Sequence, residues 1–395
     1  LLRRRLLALA AASVLSGGVM SDPATSDLPA LAGAEARPLA FADIAGWAAD
    51  DHLAAFRVFE RHCAPQSSAA PVLREGAKAP ASWGLVCGAA RDAVVADPAA
   101  ARAFFERWFD PVEIRPASGA GFLTGYYEPE VDGSLERTEA FHAPLYARPV
   151  DLATIPQGET RPGVPDGFAA ARLRADGGFE PYPDRAAILR GELGGLARPI
   201  LWLADDAEVF FLQVQGSGRV RLPGRDGSPG ATVRVAYAGR NGHPYSSIGR
   251  ILVREGLLPL EQAQLEGIKA WLRANPDDGR RVMAMNASYV FFRIADELPP
   301  EAGPIGGAGL PLTPWRSIAV DRSLWAYGLP VWLETALPDG EAFAKLAIAE
   351  DTGSAILGPA RADLYHGSGA EAGRRAGALR HPLRFVVLWP RGTPR

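Results

Sequence analysis

The sequence predicts a mainly β chain with helices near its N-terminal end, folded as compact barrels and not as a doubly wound sheet. Two helical patterns precede residue 114, and the rest of the chain is mostly short β-like runs separated by Gly, Pro and Asp. The long irregular connections between those runs lack the regular strand–helix alternation of a parallel α/β sheet. At 395 residues the chain has room for two domains of ordinary size. A composition of 48% hydrophobic and 22% charged residues is that of a soluble globular protein, and a net charge of -3 gives no reason to expect nucleic acid as a partner.

The N-terminal residues run Leu1-Leu2-Arg3-Arg4-Arg5, then an apolar stretch from Leu6 to Leu15, then Ser16-Gly17-Gly18. Charged, apolar and small residues in that order form an export signal, assigned to residues 1–21. A membrane anchor needs about twenty apolar residues, and this run ends before Asp22 and Pro23. Leu15-Ser16-Gly17 is like the start of a lipoprotein box, but Gly18 stands where the lipid-bearing cysteine belongs, so release as a soluble protein is expected. Residues 22–40, rich in Ala, Pro and Asp, read as an exposed linker.

From Phe41, the apolar positions Ile44, Trp47, Ala48, Phe56 and Phe59 recur at helical spacing. A second helix opens at Asp97-Pro98, a cap followed by proline, with Phe104, Phe105, Trp108 and Phe109 behind it. The two cysteines, Cys63 and Cys87, would meet an oxidising compartment after export and are expected to pair, the alternative being two buried free thiols. With no CxxC pair, no HExxH and six scattered histidines, no metal site is expected.

Strands are expected at Gly121 to Tyr127, Ile200 to Leu203, Val209 to Val214, Arg219 to Leu222 and Thr232 to Tyr237. Helices then cover about Tyr245 to Glu255 and Leu260 to Asn275. Strands resume at Tyr289 to Phe292, Ser317 to Val320, Val331 to Glu334, Lys345 to Ala349 and Phe385 to Leu388. No fixed repeat is visible, which argues against solenoids and propellers. Gly306-Gly307 with Gly309 follows no clear βα turn and reads as a loop.

Several stretches carry candidate chemistry. Thr124-Gly125-Tyr126-Tyr127-Glu128-Pro129 ends a strand with aromatic faces and hydroxyls suited to sugar rings, although tyrosines packing a core would look the same. Gln213-Val214-Gln215 would place both amides on one strand face, able to bond sugar hydroxyls, as would a solvated hairpin. Gly239-Arg240-Asn241-Gly242-His243 reads as turn chemistry. Asp321, Asp351 and Asp363 fall at or within expected strands, where aspartate is uncommon. The glycine-bearing connection between Asp351 and Asp363 allows their strands to lie side by side, and two neighbouring carboxylates raise one pKa toward that of a general acid. Taken singly, each could be a turn-capping aspartate.

In combination, Leu123 to Pro129, Gln213 to Gly218, Tyr237 to Gly242, Asn286 to Phe292 and the three-aspartate module resemble the membrane-bound lytic murein transglycosylase A family. The resemblance implies a double-psi β-barrel assembled from residues 41–129, with the helices, and a C-terminal three-aspartate part, 291–395. A second β-rich domain, 130–290, is inserted between them, with a glycan groove between the domains. It implies a periplasmic enzyme of a Gram-negative bacterium that cleaves the β-1,4 bond between N-acetylmuramic acid and N-acetylglucosamine and leaves a 1,6-anhydro end. Asp363 matches the family's single acid/base, Asp351 its supporting neighbour, and Asp321 a structural position. Thr124, Tyr126, Gln213 and Gln215 become candidate glycan contacts. The implied partner is peptidoglycan, with wall synthesis or division proteins as further candidates, and a monomer without cofactor is expected. A glycan hydrolase on the same barrel and a non-catalytic wall-binding protein are the alternatives.

Overall fold

A computed structural model describes residues 31–64, 74–224, 229–295, 297–337 and 340–393. The expected export segment, with Gly18, lies outside the described residues. The described part of the expected linker is not featureless, because β1 (Ala34–Pro38) pairs antiparallel with β2 (Phe109–Pro116).

Between those strands stand α1 (His52–Cys63), α2 (Trp83–Asp92) and α3 (Pro98–Trp108). Asp97 caps α3 by accepting from the Ala100 amide, with Pro98 at the first helical position, as the sequence signals. Ile44 to Ala48 do not extend α1, since Gly46 at φ 75° breaks the path into short 3-10 turns. Cys63 and Cys87 form a disulfide, and Cys87 belongs to α2, a helix absent from the sequence-based expectation.

β3 (Gly121–Glu128) is followed by β4 (Glu130–Ser134), β5 (Ala143–Tyr146), β6 (Leu152–Thr154), β7 (Ala170–Leu173) and β8 (Phe179–Glu180). Next come α4 (Arg185–Leu189), β9 (Pro199–Leu203), α5 (Asp206–Gln215), β10 (Ser217–Pro223) and β11 (Pro229–Arg240). Then follow α6 (Ile248–Arg254), α7 (Leu265–Ala274), α8 (Pro276–Ala284) and β12 (Val290–Ile294). The chain ends with β13 (Ser317–Val320), β14 (Pro330–Ala336), β15 (Ala342–Asp351), β16 (Arg361–Ser368), α9 (Gly369–Ala378) and β17 (Arg380–Pro390).

Strands β17, β14, β15, β13, β16 and β3 follow one another in a single sheet, and a β17–β3 pairing closes them into a ring. Alternation explains its two cores. Val331, Leu333, Ala347, Ala349, Phe385 and Val387 point into the ring, whereas Trp332, Leu346, Ile348, Val386 and Leu388 point outward beneath α1 to α3. Strands covered on both faces read as unbroken apolar runs, which is how β14, β15 and β17 appear in the sequence.

A second sheet runs β12-β11-β10-β4-β9-β5, and a bridge from Ala147 to Phe292 links its two edges. Its core is built from Val131, Leu145, Leu201, Val220 and Val235, with α5 contributing Val209 and Leu212. The stretch Val209 to Val214 is therefore helix where a strand was expected. Asp205 caps it through the Glu208 amide, and Gly216 ends it at φ 83°. Apolar residues around most of this helix erase the amphipathic period, leaving a run that imitates a strand.

Candidate active site

β3 runs parallel to β16, with Thr124 opposite Asp363 and Tyr126 opposite Tyr365. Leu123, Ala362 and Leu364 occupy the barrel core, so alternation turns Thr124, Tyr126, Asp363 and Tyr365 to the other face, where the first three are half-buried. The Thr124 hydroxyl donates to Asp363 Oδ1 and accepts from Arg361 Nη2 at 2.7 Å. Arg361 lies two residues before Asp363 on the same strand face and is held by the carbonyls of Phe122 and Ala362. Strand periodicity could have singled out this arginine, which sequence reasoning missed.

Asp351 ends β15. The Tyr126 phenol donates to its Oδ2 at 2.9 Å, and the Gly307 amide donates to its Oδ1 at 2.8 Å. The expectation that the strands of Asp351 and Asp363 are neighbours is corrected, because β13 lies between them, parallel to β15 and antiparallel to β16. The carboxylates converge through β3 instead, which presents Thr124 to one and Tyr126 to the other.

Burial is the largest influence on Asp363 and pushes its carboxyl above the ordinary carboxylate value. Arg361 and the Thr124 hydroxyl pull it back, and the Asp351 charge adds to the rise. Burial also raises Asp351, opposed by Arg74, the Thr352 and Gly307 amides and Tyr126. Burial, and then the two aspartates, drive the Tyr126 phenol well above its usual value, so it stays a proton donor. Beside them the fully buried Glu350 is pushed up to about 7 by burial, with Arg61 and Ser317 opposing. The Ser317 hydroxyl donates to it at 2.5 Å, and Arg61 approaches to 3.5 Å.

The two glutamines do not share an exposed strand face. Gln213 is buried on α5 and donates to the Val290 carbonyl at 3.2 Å, while Gln215, at the helix end, accepts from the Tyr127 amide at 3.2 Å. Gln215 thus braces β3 beside the aspartates, and Gln213 fills the second module. Asp321 is engaged at both oxygens, one by the Ser323 amide and hydroxyl and the other by the Gly358 amide at 2.7 Å. Asn241 is fully buried and bonds Pro183, Ala287 and Tyr289, a structural role as its turn motif suggests. Among the described residues no group of three or more His, Cys, Asp or Glu side chains is disposed to hold a metal ion.

Glu128 ties the modules together. Buried at the end of β3, it accepts from Arg219 Nε of the second sheet at 2.8 Å and from the Ser368 hydroxyl of the barrel at 2.6 Å, and forms an ion pair with Arg234 of the second sheet at 3.0 Å. Next to the aspartates a cleft of about 740 Å³ opens between the modules. Residues near Thr154, Tyr237 and Arg240 line one wall, and Arg322, Thr352 and Ser354 line the other. Neither Asp351 nor Asp363 is among the lining residues; Arg74 and Thr352, which act on the Asp351 carboxylate, are.

Two family models match the chain, the MltA specific insert domain over residues 122–293 and the 3D domain over residues 316–389. A crystal structure of the membrane-bound lytic murein transglycosylase from Agrobacterium tumefaciens is 35% identical with a TM-score of 0.79, covering 90% of this chain and 98% of that one. A crystal structure of MltA from Neisseria gonorrhoeae is 33% identical with a TM-score of 0.73, covering 95% of this chain and 97% of that one. The membrane-bound lytic murein transglycosylase A of Vibrio cholerae is 36% identical over 218 residues, which span 53% of this chain and only 56% of that relative. On the strength of both family models and of two solved structures matched over nearly their whole length, the chain belongs to the membrane-bound lytic murein transglycosylase A family.

Proposed function

We propose that this chain is a lytic transglycosylase of peptidoglycan with Asp363 as its single acid/base. The observation that carries this reading is the asymmetry of the two aspartates. Both are half-buried and raised by burial, but Asp351 has one oxygen bonded to Tyr126 and the other to Gly307, whereas Asp363 is held at Oδ1 by Thr124 and its Oδ2 carries no hydrogen bond among the described residues. One carboxyl is thus free to exchange a proton with a ligand and the other is committed to the fold.

A two-carboxylate glycosidase needs a second group to attack the sugar or activate water. Here the substrate supplies the nucleophile. Protonated Asp363 gives its proton to the oxygen between N-acetylmuramic acid and N-acetylglucosamine, and the C1–oxygen bond breaks through an oxocarbenium-like state. The resulting carboxylate takes the proton of the muramoyl 6-hydroxyl, whose oxygen bonds to C1 and closes the 1,6-anhydro ring. Holding both reacting groups within one sugar provides the proximity that a bound water would otherwise need. Arg361 and Thr124 orient the carboxyl, and Tyr126 with Asp351 shapes the adjoining wall. Gln215 acts by bracing β3, and Gln213 does not reach the site.

On the same reading the closed ring of β17, β14, β15, β13, β16 and β3 is a double-psi barrel interrupted by the 130–290 insert, and the cleft between them belongs to the glycan groove. The order of residues in 1–21 supports export to the periplasm. Digestion of purified sacculi followed by mass spectrometry tests the reaction. Anhydro-muropeptides are expected from the wild type and none from Asp363→Ala. Products heavier by one water, or activity surviving in Asp363→Ala, would overturn it.

A further inference from the structure

The cleft beside the aspartates carries an unbalanced charge. Arg74, Arg148, Arg240 and Arg322 line it, against the carboxylates of Glu75 and Asp321. Asp321 has both oxygens engaged by Ser323 and Gly358. Among the described residues none of the four arginines has a carboxylate within ion-pair distance. Arg240 donates to the Ser354 hydroxyl at 2.5 Å, Arg322 to the Glu75 carbonyl at 2.7 Å, Arg74 to the Thr352 carbonyl at 3.3 Å and Arg148 to the Ala238 carbonyl at 2.9 Å. The other junction between the modules is built in the opposite way, with Arg219 and Arg234 neutralised by Glu128.

Arg240 and Arg322 approach from opposite walls, one at the end of β11 and the other just beyond β13. Both are half-buried. Burial and then the charge of Arg74 hold the Arg240 guanidinium below its ordinary value, and Arg322 adds to the effect, so the positive charges are close enough to repel. Asp351 offsets part of the Arg74 charge, but Arg240 and Arg322 gathered beside it still cost stability, and an anion that enters between them reduces that cost. Guanidinium groups suit a carboxylate in particular, because their paired donors match its two oxygens.

We propose that this cleft is a carboxylate subsite, with Arg240 and Arg322 as its principal ligands and Arg148 at its exposed mouth. It rests on the reading of the substrate as peptidoglycan and assigns the cleft to the acidic part of the strand. That carboxylate has two sources. On a stem-bearing strand it belongs to the peptide, because the lactyl carboxyl is consumed in the amide bond to the stem. On a stripped strand it is the lactyl group itself.

The test is an equilibrium titration of the full chain with three soluble ligands, namely N-acetylglucosaminyl-N-acetylmuramyl-tetrapeptide, the same disaccharide without peptide, and neutral chitobiose. None contains the muramic acid–glucosamine bond to be cut, so the result is independent of catalysis. At least one acidic ligand is expected to bind about tenfold or more tightly than chitobiose, with affinity falling as salt rises. The peptide-bearing and peptide-free arms then identify the source. The preference should vanish in the Arg240→Gln, Arg322→Gln double variant and persist in the corresponding double lysine variant. Because Arg240 also braces Ser354, thermal melting checks each variant, and Arg148→Glu carries the same test if the double variant does not fold. Equal or absent binding of all three ligands, or a preference that survives loss of both charges, would overturn the subsite. Carboxylate-dependent binding by a chain that forms no anhydro product would refute the reaction and leave the subsite standing.

Discussion

Replacing Thr124 by valine keeps the shape of the side chain and removes one hydroxyl, which makes it a direct probe of how Asp363 is tuned. The hydroxyl donates to Asp363 and accepts from Arg361. A hydrogen bond to an ionised group contributes roughly 1.5–3 kcal/mol. At about 1.4 kcal/mol per pKa unit, its loss should raise the Asp363 pKa by about one to two units beyond the rise that burial already causes. Arg361 does not compensate by swinging across, because the carbonyls of Phe122 and Ala362 hold it in place.

The direction of the pH effect is set by the reaction. In the proposed reaction cleavage begins with protonated Asp363, so kcat/KM should fall as pH rises through its pKa, and a higher pKa should move that fall to higher pH. Release of anhydro-muropeptides, followed from about pH 4 to about pH 9, should therefore show the alkaline limb displaced upward by about one unit or more. The rate on the acidic plateau should drop, because the carboxyl has lost its orienting partner. A limb that stays put, or moves toward lower pH, with an unchanged melting temperature, would refute the assignment of that limb to a Thr124-tuned Asp363.

Three further outcomes can be measured on the same protein. Asp363→Asn should lower activity by about 10²–10⁴-fold. It should also raise the melting temperature at neutral pH: a carboxyl whose folded pKa lies above 3.8 costs stability once it ionises, so the gain should fade as pH drops toward 3.8. Glu350, held at about 7 in the fold against an ordinary 4.5, makes the wild type lose stability as pH climbs between those values, and Glu350→Gln should flatten that slope in a melting series. Gly125→Ala would place a methyl 2.6 Å from His366 Nε2 and 2.8 Å from Ala376 Cα, forcing α9 away from β3. A loss of about 1–3 kcal/mol in denaturant unfolding, with reduced activity, is expected.

The barrel was legible wherever strands are apolar on both faces, as at Ser317 to Val320, whose bounds agree with the structure. Among the elements that escaped, two show why. α5 is buried around most of its circumference, so only its caps, Asp205 and Gly216, distinguish it from a strand. α9 is built largely of Gly and Ala and has little apolar bulk to reveal a period, yet its Gly373 lets Tyr127 pack against it. In the site, Asp351 and Asp363 stand out because aspartate is depleted in strands, whereas Thr124 and Tyr126, common strand residues, and the choice of Asp363 over Asp351 rest on the family resemblance. Arg74, Arg240 and Arg322 could not be picked out, because Arg240 ends β11 in a motif that reads as turn chemistry, Arg74 and Arg322 lie outside the strands and helices, and only the apposition of two modules brings them together.

That apposition also explains why an ion cluster as costly as Glu128 with Arg219 and Arg234 sits at the end of β3. Burying a carboxylate with two guanidiniums gives little net stability over an apolar contact, but it is strongly directional. Glu128 lies two residues beyond Tyr126, on the strand that also carries Thr124. Fixing the second module at this point sets the wall of Tyr237 and Arg240 relative to the aspartates in the barrel. A shift at the cluster would be passed along β3 to both hydrogen bonds that distinguish Asp351 from Asp363. Tuning of the acid and the width of the cleft therefore depend on one strand, and substitutions at Glu128 should alter the pH profile and ligand affinity together.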